Sequence, residues 1–235
     1  VKIVGKRRKF WNFKALDDKT GELTLYGEIS DVTWWGDEVT PKQFKEDLDA
    51  LGDIDTLNIY INSPGGDVFA GQAIYSMLIR HKAYKNVYID GLAASIASLV
   101  AMAGDKVIMP ANAMMMIHSP WTWAVGNAQD FRKLADDLDK IRDSMVTAYQ
   151  DKSGLEAEEI TKIMDAETWL SAKDCLEYGF ADEIEEAKQV AACVDEKYFA
   201  RYRNTPKELR KPPDEGVKNS DNDLKKQKLL LELEL

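Results

Sequence analysis

Histidine and cysteine are the scarce residues of this chain, with two of each among 235. Cys175 and Cys193 have no neighbouring Cys or His to complete a ligand set, so neither a zinc site nor a disulfide scaffold is expected. A reducing, cytoplasmic setting fits that usage. No apolar run approaches the roughly 20 residues that cross a bilayer. The longest, Leu92 to Gly104, is bracketed by Asp90 and Asp105 and reads as buried core. The opening VKIVGKRRKFWNF is basic but has no apolar stretch after its charges, so it does not read as a secretory signal. The G-x-x-x-x-G-K-[ST] phosphate loop is also missing, and any ATP chemistry therefore belongs to another protein. Basic residues are outnumbered, 31 Lys and Arg against 41 Asp and Glu, for a net charge of −10. Residues 1–14 hold six Lys or Arg and no acid, so the acidity falls on the body of the chain, where it repels nucleic acid phosphates.

What is present is an alternation of short aliphatic runs and helical stretches, the pattern of βα units around a largely parallel sheet. Strands are expected at LTLYGEIS (23–30), TLNIYINS (56–63), NVYID (86–90), KVIMP and MMMIHSP. Thr40-Pro41-Lys42-Gln43 opens a helix through Leu51, and a second runs from Val68 to Arg80. Small residues carry another from about Ser95 to Ala103. Phe131, Leu134, Leu138, Ile141, Met145 and Tyr149 recur every three or four positions, predicting a long amphipathic helix over 128–149. Its apolar stripe needs a cover, either the chain's own core or a neighbouring subunit. Ser153 and Ser171 are expected to cap two further helices, the second ending at Gly179. Pro206, Pro212 and Pro213 mark a linker, and LKKQKLLLELEL closes the chain as a helix candidate.

Chemistry concentrates in three places. INSPGGD (61–67) sits between a strand and a helix, and its paired glycines allow a tight turn or expose bare backbone N–H groups to a developing anion. In DGLAASIASL (90–99), Ser95 falls at a strand-to-helix junction, where it either caps the helix or acts as a nucleophile, while Ser98 faces inward. His81, in Arg80-His81-Lys82, has a structural explanation as a cation at a helix C-terminus. His118 ends an apolar strand at a sheet edge, where α/β active sites lie, and with Ser95 and the glycines it suggests a Ser-His pair. An acid to orient the imidazole is offered by Asp165 or Glu167 in MDAETWLSA.

Together INSPGGDVFAGQAIY, GLAASIAS, MMIHSP and WLSAKDCLEYGFAD resemble the ClpP family of serine peptidases over roughly residues 22–184. FWNFKALDD and EISDVTWWGDEVTPKQFKEDLDAL are more particularly similar to the ClpP-related head maturation proteases of phages and prophages. The resemblance implies an α/β ClpP/crotonase fold with residues 128–149 as a projecting handle between ring-forming subunits. It implies Ser95 as nucleophile, His118 as base, and the N–H groups of Gly66 and Ile96 as oxyanion hole, with no metal or organic cofactor. Glu167 stands where the family usually has aspartate, with Asp165 in reserve, and Ala166 stands where arginine often links stacked rings. The chain then divides into a basic arm (1–21), a ClpP-like protease domain (22–185) and a linker and tail (186–235). The implied substrate is a capsid or scaffold protein processed in the host cytoplasm or prohead. Two other functions remain open: a crotonase-type acyl-CoA enzyme, which needs no Ser-His pair, and a non-catalytic ring or scaffold subunit.

Overall fold

The computed structural model describes residues 9–30, 41–187 and 201–206. Thr40, Cys193, Pro212, Pro213 and LKKQKLLLELEL lie outside the described residues. The first strands are β1 (Trp11–Ala15) and β2 (Thr20–Tyr26), followed by α1 (Pro41–Asp49), β3 (Thr56–Ser63), α2 (Val68–Arg80) and β4 (Tyr84–Ala94). Next come α3 (Ile96–Ala101), β5 (Lys106–Pro110), β6 (Met114–Ile117), α4 (Ala128–Ser153), α5 (Ala157–Asp165), β7 (Thr168–Ser171), α6 (Ala172–Glu177) and β8 (Glu183–Glu185). This is the mixed α/β architecture that the alternation implied. Among the described residues no helix is long and apolar enough to cross a membrane.

The sheet runs β1-β2-β3-β4-β5-β8, and a branch leads from β4 to β6 and on to β7. Pairing is parallel from β2 through β8 and between β4 and β6; β1/β2 and β6/β7 are antiparallel. The alternation in β3 explains its place at the centre, because Leu57, Ile59 and Ile61 are fully buried while Asn58 and Tyr60 are less so. Each such aliphatic side chain contributes roughly 1.5–3 kcal/mol on leaving water. Across the β3/β4 pair, Tyr60 stacks on Tyr88 at 5.0 Å.

The branch in β4 creates the site. Its first half pairs with β5 through Asn86, Val87 and Tyr88, and its second half pairs with β6 through Leu92, Ala93 and Ala94. Between these halves the register against β3 shifts, from Ile61/Ile89 to Ser63/Ala93. Such an irregularity bends a strand and re-aims its end. Gly91-Leu92-Ala93-Ala94 thereby extends the strand expected at 86–90, because β6 supplies ladder partners that composition does not reveal. The helix itself begins at Ile96, and every residue of it is buried. α2 reaches it through Gly71, where an added Cβ would lie 2.2 Å from Ile96 Cγ1.

The structure corrects four local expectations. Part of the supposed basic arm is sheet, since Trp11 to Ala15 pair with Gly21 to Leu25. Trp11 and Phe13 also pack edge-on against Phe44 of α1 at 5.4 and 5.0 Å, so long-range aromatic burial outweighs the charged flanks. α4 extends past Tyr149 to Ser153 and ends at left-handed Gly154. Ser153 does not cap α5; its hydroxyl donates to Tyr149 O at 2.7 Å and accepts from Leu155 N–H, leaving Glu156 as the first boundary residue. His81 is no cation at a helix end, because burial, with help from Lys85, lowers its pKa below 6.5. Its Nδ1 accepts from Ala83 N–H, and Lys85 Nζ donates to the carbonyls of His81 and Ala83 in its place. Ser171, by contrast, caps α6 in a reciprocal box with Asp174.

Candidate active site

Ser95 stands between β4 and α3 with φ 55° and ψ −131°, one of two non-glycine residues of positive φ among the described residues. Its side chain makes no capping bond to the helix. A backbone held in such a region stores on the order of 1–3 kcal/mol, which the surroundings must offset. They do so at both ends of the residue. Ser95 N–H donates to Met116 O at 2.8 Å, tying it to β6, and Ser95 O accepts from Ser98 N–H at 2.9 Å and Ser98 Oγ at 2.6 Å. The Ser98 proton is thereby committed, so the neighbouring Tyr149 hydroxyl, 2.8 Å away and fully buried, is the donor to Ser98 Oγ. Tyr149 of α4 thus fixes the junction through Ser98. The apolar stripe marked this tyrosine, but nothing in the sequence signalled the use of its hydroxyl.

With its backbone so held, Ser95 turns its hydroxyl to His118, one residue beyond β6, with Oγ and Nε2 2.6 Å apart. His118 is 7% exposed. Burial, and secondarily the Arg203 cation, lower its pKa to about 4. The imidazole is therefore neutral at pH 7, and a neutral ring with Nε2 facing a hydroxyl can accept that proton.

The glycine pair lies alongside. Gly65 (φ 89°) and Gly66 (φ 149°) occupy conformations that disfavour side chains, and an added Cβ would meet Ser95 Cβ at 2.7 Å from the first and Ile29 O at 1.9 Å from the second. Ile29 N–H donates to Gly65 O, and Asp67 N–H donates to Ile29 O, which makes a parallel bridge centred on Gly66. In such a bridge the central residue's own N–H points away from the partner strand. Gly66 lines a cavity of about 110 Å3 together with Ser95, His118, Pro120 and Tyr202. Ile96, the first residue of α3, presents an N–H that has no acceptor within its own helix.

The two carboxylates go elsewhere. Glu167, itself at φ 48°, accepts from Asn204 N–H at 2.6 Å. Asp165 accepts from Ser119 Oγ at 2.7 Å and lies 3.7 Å from Arg142. Both line a larger cleft of about 790 Å3 that His118 also borders, with Trp121 and Trp123 on its wall. The structure thus joins Ser95 to His118 and leaves both acids bonded to other groups. Sequence reasoning placed residues 201–206 in the linker and tail, with Pro206 as one of its markers, and did not foresee them packed here, since they carry no motif and no periodicity. Tyr202 is 7% exposed, with its ring edge-on to His118 at 5.4 Å and to Trp169 at 5.8 Å.

Comparison with known proteins bears on this arrangement. The family model described as Clp protease matches residues 39–188. The ATP-dependent Clp protease proteolytic subunit of Bacteroides fragilis is 34% identical over 139 residues, covering 58% of this chain and 67% of that protein. The corresponding subunit of Leuconostoc citreum is 37% identical over 141 residues, with 58% and 70% covered. That of Streptococcus mutans is 35% identical over 147 residues, with 61% and 75% covered.

Proposed function

This chain belongs to the Clp protease family, a membership that makes it a serine-type peptidase, and we propose that Ser95 is its nucleophile and His118 its general base. The observation that carries the assignment is the 2.6 Å contact between Ser95 Oγ and His118 Nε2 at a strained strand-to-helix junction. His118 takes the hydroxyl proton as Ser95 attacks the peptide carbonyl, and the resulting oxyanion is met by the N–H groups of Gly66 and Ile96. His118 then gives the proton to the leaving amine, and water repeats the sequence on the acyl-enzyme. Glu167 is the third member in this reading, turning from Asn204 to the imidazole in the working state, with Asp165 as the alternative. A crotonase-type reaction makes no use of the Ser95–His118 contact.

The substrate in this reading is a capsid or scaffold protein, and the setting is a phage prohead within the host cytoplasm. Its support is the similarity of FWNFKALDD and of the segment from EISDV to DLDAL to head maturation proteases. Self-assembly into a ring is supported by the first part of α4, where Phe131 is 48% exposed and Leu134 and Leu138 are only partly covered. The test is processing of an unstructured protein such as casein, and of a co-expressed capsid protein, by wild type, Ser95→Ala and His118→Ala. Loss of both activities by about 10⁴-fold or more in each variant is expected. Unchanged processing by Ser95→Ala would favour a non-catalytic subunit instead.

A further inference from the structure

Residues 201–206 reach the glycine turn, His118 and Glu167. Arg201 pairs with Glu28. The Tyr202 hydroxyl donates to Pro64 O, in the turn that carries the glycine pair. Asn204 uses its backbone N–H on Glu167 and its side-chain amide on Ala166 O, at 2.6 and 2.8 Å. Thr205 is buried. Arg201 and Tyr202 wall the small cavity beside Ser95, and Arg201, Arg203 and Asn204 wall the larger cleft.

Several of these residues bear on groups that the reaction needs. The Tyr202 phenol is anchored on Pro64 O, and its ring, edge-on to His118, walls the small cavity that Ser95 and His118 share. The Asn204 N–H holds the carboxylate that would otherwise stabilise an imidazolium. The Arg203 cation near His118 disfavours that same imidazolium. The cavity beside the nucleophile, the ring of the base and the carboxylate of the acid are all met by one short peptide of the chain itself.

We propose that Arg201 to Pro206 is an internal ligand of the peptide-binding cleft, which holds the protein below its unblocked activity and shows that the cleft favours an arginine followed by an aromatic residue. Glu28 receives the arginine, and the slot between His118 and Trp169 receives the aromatic ring. The inference rests on the peptidase reading, and its test separates the two. The rate of fluorophosphonate labelling at Ser95 is measured in the full chain for wild type, Tyr202→Ala, Asn204→Pro and the double variant. A ligand that occupies the site nine-tenths of the time lowers the rate by about tenfold, so a gain of about that size is expected in the double variant. Free peptide Arg-Tyr-Arg-Asn-Thr-Pro should slow the variant again, whereas the same peptide with Ala for Tyr should not. Should loss of the buried tyrosine unfold the protein, Glu28→Gln and Arg201→Ala weaken only the exposed anchor; a smaller gain there supports the proposal. Wild type labelled as fast as every folded variant overturns the internal ligand and leaves the peptidase reading intact. No labelling of any folded form overturns both.

Discussion

Residues 84–118 and residues 121–141 follow one another in the chain and obey opposite rules. The first stretch closes on itself, with β4, α3 and β6 sealing Ser95 and His118 among alanine, methionine and aliphatic side chains, most of them under 5% exposed. In the second, Trp123 is 88% exposed, Val125 is fully exposed, and Phe131, in the first part of α4, is 48% exposed. Only at Met145, Val146, Ala148 and Tyr149 does that helix enter the core. The difference teaches that a single chain buries the Ser95–His118 contact but leaves the first part of the apolar stripe of α4 partly exposed. Under the proposed function, a second copy covers that part.

The sharpest way to break the closed region is Gly66→Ala. The new Cβ would lie 1.9 Å from Ile29 O, so the bridge must open, and the Gly66 N–H, which the proposed function assigns to the oxyanion, moves with it. A loss of about 10²-fold or more in kcat is expected, together with about 3 kcal/mol or more of stability in urea melts. Gly27→Ala is the control: its φ is also positive but its Cβ meets nothing within 4 Å, so about 1 kcal/mol and no specific loss of kcat is expected.

Tyr149→Ala should cost about 3–5 kcal/mol by emptying a fully buried site, and Tyr149→Phe about 1 kcal/mol through the lost bond to Ser98. Phe131→Glu with Leu138→Lys, on the same helix, should leave the unfolding free energy of the separated chain in urea within about 0.5 kcal/mol of wild type. Sedimentation should nevertheless show the assembly lost. Equal destabilisation by the two pairs would erase the distinction between core and handle.

Acidity probes the closed region next. His118 titrates at about 4 when folded, below its ordinary 6.5, so the unfolded chain binds its proton first as pH falls. The associated stability is complete above about 6.5 and declines between 6.5 and 4, by roughly 3 kcal/mol. His118→Gln should flatten that part of the stability curve. In kcat/KM the acid limb should lie well below 6.5, and Arg203→Ala should raise it modestly, because burial is the larger cause.

How far the sequence foretold all this depends on the range of the contacts. Strand and helix order was readable because alternation in TLNIYINS and the three-to-four spacing in α4 are local signals. The serine, histidine and glycine motifs were readable for the same reason, each being a short string at an element boundary. Three things were not. The strand character of Gly91 to Ala94 depends on β6, more than 20 residues away in the chain. The sheet role of Trp11 and Phe13 depends on Phe44. Tyr202 reaches the site across 138 residues to Pro64, and no periodicity near residue 202 announces it. The partners of Glu167 and Asp165 were hidden likewise, since which group a carboxylate faces is settled by tertiary packing and not by its neighbours in MDAETWLSA.

Mass-spectrometric mapping of the fluorophosphonate adduct on the folded, assembled full chain tests the central claim most directly. The account predicts one modified residue, Ser95, with labelling abolished in His118→Ala. An adduct on any other serine, or a folded assembly that takes no label, would contradict it.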